Sequence, residues 1–207
     1  MKNPIKVKGD ESEVRKYILG TTGHDGVSAI ILKNVATRVV CANTLGVALG
    51  ERGGATWRVQ HTASAKERLE EAGKAFRRIA ESYETFGELA NVLAVTRFSG
   101  RQMQSNIDQV LPVPEDDRDH RRILTEREKV LRLYETATGV EKLRGTAWAA
   151  FQGWTEYADH HRALRDTGRQ EPRRARLESI WLGRAASMKQ AALGAIAQEA
   201  GSQLAAA

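Results

Sequence analysis

The sequence predicts an α+β fold: a small N-terminal antiparallel β-sheet of three to four strands, covered by a mainly α-helical C-terminal two-thirds with one long helix. Three observations carry that expectation. β-Favouring runs broken by glycine-containing turns fill the chain up to about residue 60. A 3.5-residue apolar repeat then holds for more than three heptads. Beyond it, Trp148, Phe151, Trp154 and Tyr157 recur at helical spacing. Residues 1–62 therefore read as a β-rich portion and 63–207 as a helical one, together one domain. A sheet this small needs cover on at least one face, and the helices supply it.

The strand-rich part begins around Val14, with Tyr17-Ile18-Leu19 as its first β-favouring run. Gly20 to Gly26 ends that run, and Asp25-Gly26 offers the positive φ angles of a tight turn. Val27 to Leu32 is the second strand, Lys33-Asn34 a second turn, and Val35 to Cys41 the third strand, rich in β-branched residues. Asn43 or Thr44 caps a short helix through Leu45, Val47, Ala48 and Leu49, which Gly50 to Gly54 stops. Trp57-Arg58-Val59-Gln60-His61 alternates and reads as one more strand.

Ser64-Ala65-Lys66-Glu67 fits a capping box. After it Leu69, Ala72, Phe76, Ile79, Tyr83, Phe86, Ala90 and Leu93 alternate in steps of three and four. One long helix follows, packed along its length on another, with Phe76, Ile79 and Tyr83 in the middle of the seam. Leu111-Pro112-Val113-Pro114 breaks the pattern. The acidic stretch Glu115 to Asp119 then favours the start of a helix from about Arg118 to Tyr134. Further helices span roughly Thr146 to Leu164 and Arg174 to Leu204.

Hydrophobic residues make up 41% and charged residues 28%, a globular balance. Lys+Arg 32 against Asp+Glu 26 leave +6, and the pI of 9.6 permits an anionic partner without requiring one. A single cysteine excludes an internal disulfide framework and a Cys-rich zinc site. No apolar run approaches the roughly 18–20 residues of a membrane span, and no signal-type segment follows the start, so the cytoplasm is the expected location.

Familiar catalytic signatures are absent: no G-x-x-x-x-G-K-[ST], no H-E-x-x-H, no G-x-S-x-G. Asp159-His160-His161 offers two imidazoles, but neighbours on a helix point about 100° apart, so one ion could hardly take both. Cys41 reads as a small buried side chain, and a Cys41–His61 pair has no supporting signature. No catalytic residue, metal or cofactor is assigned.

Charge is more informative. Arg162, Arg165, Arg169, Arg173, Arg174 and Arg176 stand against only Asp166 and Glu171. Planar guanidiniums suit phosphate, and such a cluster can hold a nucleic-acid backbone without reading its sequence. Equally, it can be a solvated face that neutralises acidic helices. Arg38 and Arg58, on strands, form a second and smaller cationic group.

Several segments carry a resemblance: Gly23-His24-Asp25-Gly26, Thr37-Arg38-Val39-Val40-Cys41-Ala42-Asn43-Thr44-Leu45, Val59-Gln60-His61-Thr62 and Leu111-Pro112-Val113-Pro114. So do Gly145 to Phe151, Thr155-Glu156-Tyr157-Ala158-Asp159-His160 and Trp181-Leu182-Gly183. In order and spacing they resemble a family of phage/plasmid-like proteins catalogued as domain of unknown function 932. The resemblance implies a mobile-element setting in a bacterial host cell, with no established activity and no catalytic residues to carry over. Its polar and aromatic motif positions here are His24, Asp25, Arg38, Asn43, Thr44, His61, Thr62, Trp148, Glu156 and Asp159. It further implies that a β-rich portion ordinarily precedes the His24-Asp25-Gly26 turn. The chain then corresponds to the C-terminal part of such a protein, completed by self-association or by a partner.

Three functional readings follow. The first is a non-catalytic nucleic-acid-binding accessory protein of mobile-element DNA metabolism, with DNA or RNA as partner. The second is an oligomeric interaction module resting on the heptad seam. The third is an enzyme of unrecognised type using some of His24, Asp25, His61 and Asp159.

Overall fold

Four strands, β1 (Val14–Thr21), β2 (Ile30–Arg38), β3 (Asn43–Gly46) and β4 (Thr56–Val59), form the antiparallel sheet of the computed structural model. The structure describes residues 3–21, 30–39, 43–46, 56–59, 65–115, 117–164 and 171–206. The expected turn at Asp25-Gly26, His24, Cys41, His61, Thr62, the Ser64 cap, Arg165 and Arg169 lie outside them. β2 is the axis of the sheet. β1 pairs with Ile31–Arg38 on one side, while β4 takes Ile30–Lys33 and β3 takes Val35–Arg38 on the other.

Two local expectations give way here. Lys33-Asn34 is not a turn, because β2 runs straight through it. Residues that favour turns are held extended by distant partners: Asn34 is buried and its amide donates to Ser82 Oγ, while Lys33 Nζ donates to the carbonyl of Trp181 at 2.6 Å. Asn43 and Thr44 do not cap a helix either. They open β3, since a carboxylate 115 residues away takes the Thr44 amide.

The helices are α1 (Ala65–Val95), α2 (Gly100–Val110), α3 (Asp117–Thr136), α4 (Ala147–Glu156), α5 (Pro172–Trp181) and α6 (Arg184–Ala206). A short 3-10 turn spans Glu141–Leu143, and a π-helical turn, Tyr157–His161, continues α4. The long helix α1 is the expected one, and Ile79, Tyr83, Phe86, Ala90 and Leu93 of its seam are buried. Phe76 is a correction: at 47% exposure it lies outside the core, and the buried seam positions among the described side chains run from Ile79 to Leu93. No element was expected over α2, yet Ser99 and Gln102 build a reciprocal capping box at its start. The expected helix Arg174–Leu204 is two, divided at Leu182-Gly183, where both amides close on the carbonyl of Glu178.

One buried cluster joins sheet to helices, running from Ile5, Val7, Val14 and Ala36 to Phe86, Leu93, Trp148, Phe151 and Ile196. Phe86, Trp148 and Phe151 stack in tilted pairs with centroids 6.3 and 6.0 Å apart. Such pairs add about 0.5–1.5 kcal/mol each beyond the area they bury. Helices α3 and α4 touch backbone to backbone at Gly153, where a Cβ would meet the Tyr134 amide nitrogen at 2.9 Å. Tyr83 pins α1 to the sheet. Its hydroxyl accepts from the Val35 amide at 3.0 Å and reaches the Tyr17 carbonyl, and burial pushes its pKa up to about 12. Trp154 donates its indole N–H to Asn106 Oδ1 at 2.7 Å, fixing α2 against α4. Among the described residues, no helix is long and apolar enough to cross a membrane.

Candidate functional site

Every described position of the sequence motif falls into one of two polar knots that tie the sheet to the helices. The first centres on Arg38. Its side chain is fully buried and meets a fully buried Asp10 through Nε–Oδ2 at 2.7 Å and Nη2–Oδ1 at 2.8 Å. The rest of the guanidinium donates to the carbonyls of Thr138 at 2.6 Å and Gly139 at 2.7 Å. Trp148 donates its indole N–H to Asp10 Oδ2 at 2.9 Å, and the Ser12 amide donates to Oδ1 at 2.9 Å. Glu156 secures the same loop by accepting from the Thr138 amide at 2.8 Å.

Asp10 reaches this position because Gly9, at φ +76°, lets the chain turn after Val7. A Cβ on Gly9 would also press on Leu143 Cδ2 at 3.0 Å. A bidentate arginine–carboxylate pair with further donors spent on backbone carbonyls is the geometry in which burial of two charges is tolerated. Arg38 is thus corrected from a surface cation to the centre of a buried network. The cleft of about 650 Å³ above it is lined by Asp10, Glu11, Glu13 and Glu141 against Arg38 and Lys142, and Lys142 pairs with Glu11. That balance is unfavourable for phosphate.

The second knot centres on Asp159, which the π-helical turn rotates inward. Lys189 of α6 donates to Asp159 Oδ1 at 2.6 Å and to the Thr44 carbonyl at 2.7 Å, with both side chains 1% exposed. The Thr44 amide donates to Asp159 Oδ2 at 2.7 Å. Asn43 donates to Thr155 Oγ1 at 3.1 Å and meets His160 Nε2 through its Oδ1 at 3.1 Å. Burial pushes the Asp159 carboxyl up and the Lys189 ammonium down, and each partly offsets the other. Burial and the charge of Lys189 also lower the pKa of Lys33. His160 and His161 diverge: His161 Nε2 lies 3.8 Å from Glu156, on the side of the first knot. Among the described residues no group of three His, Cys, Asp or Glu is arranged to hold a metal ion. In both knots the polar groups are spent largely on one another, which is the chemistry of fastening.

The described part of the arginine cluster is built differently. Glu171 caps α5, accepting from the amides of Arg173 and Arg174 at 3.1 Å each, and leaves both of these side chains exposed on the first turn. Arg176 Nη1 donates to the carbonyl of Arg162 at 2.7 Å, which docks α5 on the segment after the π-helical turn. There Asp119, Arg122, Arg162, Ala163, Leu164 and Arg184 line a pocket of about 520 Å³. Burial and the charges of Arg184 and Arg176 work against the Arg162 cation. Arg122 from α3 stands beside Arg121 in a stretch of mixed charge and Arg184 from α6 stands alone, so the net-positive run from Arg162 to Arg176 pointed to neither. The Arg58 backbone lies in β4, and its side chain is outside the described residues.

No curated protein and no solved structure matches this chain. A family does match, and it takes in the N-terminal segment that carries Asp10, both polar knots except Lys189, and α5 to its end. Over residues 1–181 the chain matches the family described as "Domain of unknown function (DUF932)", and it belongs to that family.

Proposed function

We propose that the protein is a non-catalytic nucleic-acid-binding accessory protein of phage or plasmid DNA metabolism, holding strand phosphates on its arginine face. One observation carries the reading. Arg122, Arg162 and Arg184 come from three separate parts of the chain to line one pocket, and Arg176 ties it to the helix that exposes Arg173 and Arg174. Guanidiniums gathered in this way without equal carboxylate compensation favour an anionic partner. The phage or plasmid setting rests on the resemblance of the motif segments.

A second reading, an oligomeric interaction module, has an observation of its own. Beyond the Ile5–Val14 bridge, the outer edge of β1 has no strand partner among the described residues, and Tyr17 on that strand is 49% exposed. Open edges recruit other chains.

Binding of labelled single- and double-stranded DNA across a salt series separates the two. Four engaged phosphates give a slope of log K against log salt near about −3, since each contributes roughly −0.7 on single strands and −0.9 on duplex. Arg173→Gln with Arg174→Gln is expected to leave the fold intact and to weaken binding on all sequences alike. The slope should become shallower by about 1.4 on single strands and about 1.8 on duplex. No binding even at low salt rejects the nucleic-acid reading and leaves the interaction module.

A further inference from the structure

The pocket between α3, the segment after the π-helical turn and the start of α6 gathers three arginines in one place. Arg122 is already engaged, donating to Asp119 Oδ1 at 3.1 Å and to Glu126 Oε1 at 2.8 Å. The guanidiniums of Arg162 and Arg184 have no hydrogen-bond or ion-pair partner among the described residues. Arg184 stands at the first position of α6, the positive end of that helix's dipole. Next to these groups Tyr157 is fully buried, with its hydroxyl turned toward Glu126. It lies among Glu126, Arg122 and Arg162, and burial followed by Glu126 raises its pKa.

The charge balance selects the ligand. Among the described residues Arg122, Arg162 and Arg184 line the pocket against Asp119, which leaves two positive charges over. A phosphodiester inside a strand brings one negative charge and has chain on both sides. A terminal phosphomonoester brings about −1.5 to −2 at neutral pH, has three free oxygens and enters end-on. A pocket of about 520 Å³ lies in the range that takes a nucleotide-sized group, and Ala163 and Leu164 supply an apolar wall for its sugar.

We infer that this pocket binds a terminal phosphomonoester, the end phosphate of a nucleic-acid strand or of a free mononucleotide, with Arg162 and Arg184 as its principal donors and Arg122 held ready by Asp119. The strand form rests on the nucleic-acid reading above; the phosphate site does not.

The test compares three probes by calorimetry at low salt: a single-stranded oligonucleotide phosphorylated at both ends, the same sequence with hydroxyl ends, and a deoxynucleoside monophosphate. The phosphorylated strand is expected to bind roughly tenfold more tightly than its hydroxyl twin, the size of one or two charge-assisted hydrogen bonds. Arg184→Gln, at an exposed position, should erase that difference while its melting curve stays that of the parent. Arg162→Lys keeps a cation but loses the planar fork, and should erase most of the difference too. Equal binding of the two strands overturns the inference and leaves the nucleic-acid reading standing. If neither strand binds while the monophosphate binds and Arg184→Gln abolishes it, the phosphate site is supported and the strand reading fails. If no probe binds, both fail.

Discussion

Asp10→Ala is expected to cost about 3–5 kcal/mol of folding stability, because it strands the fully buried Arg38 guanidinium without its counter-charge. At roughly 2–4 °C per kcal/mol for a chain of this size, the melting temperature should fall by about 6–20 °C. The loss is more than one ion pair, since the Trp148 indole and the Ser12 amide also lose their acceptor. Arg38→Met combined with Asp10→Ala should recover part of the deficit, because no lone charge remains inside. If Asp10→Ala melts within a degree or two of the parent, Arg38 is not held as described.

Lys189→Met is the second large effect. It leaves Asp159 buried with the Thr44 amide as its remaining close donor, and about 3–5 kcal/mol should be lost at neutral pH. The pH dependence has a definite sign. Burial already raises the Asp159 pKa above 3.8, and removing the cation raises it further. A carboxyl whose folded pKa exceeds its unfolded one favours folding when protonated, and that contribution disappears as pH rises through the folded value. The deficit against the parent should therefore narrow on acidification from neutrality, as read in urea melts at a series of pH values. A pH-independent deficit would mean that Asp159 is not the charge left behind. Asp159→Leu added to Lys189→Met should restore stability at neutral pH.

The parts of the fold legible in the sequence are those written locally. The seam from Ile79 to Leu93 follows from its 3.5-residue repeat, and α4 with its π-helical continuation from the four aromatics at helical spacing, all of them buried. Two of the failures share one cause, which is a tertiary partner overriding a local preference. Lys33 and Asn34 favour a turn, yet Trp181 and Ser82 hold them extended. Asn43 and Thr44 favour a cap, yet the carboxylate that the Thr44 amide meets belongs to Asp159. Phe76 matches the heptad register but lies ahead of the point where α1 enters the core. Helix α2 was legible in principle from Ser99-x-x-Gln102 with Met103 and Ile107, but it is short and otherwise polar.

For the candidate site the pattern is similar. The motif marks real places, since Arg38, Asn43, Thr44, Trp148, Glu156 and Asp159 all converge on the two knots. What residue types could not reveal is that these groups consume one another. Asp10 sits in a polar segment whose only local sign is the Gly9-Asp10 turn. Lys189 lies between Met188 and Gln190 on a helix, where a lysine ordinarily faces solvent. Arg122 and Arg184 gain meaning only when α3 and α6 place them beside Arg162.

The arginines divide their labour: Arg38 holds the fold, while those around the α3–α6 pocket are proposed to meet phosphate. Side-chain Nε–H resonances of ¹⁵N-labelled arginines, followed as single-stranded DNA is added, test both halves at once. Resonances of Arg162, Arg173, Arg174 and Arg184 should shift progressively, while Arg38, locked between Asp10 and two carbonyls, stays in place together with the Trp148 indole. Movement of Arg38 and Trp148 with the pocket arginines unmoved would put the ligand in the cleft over Asp10 and contradict the claim.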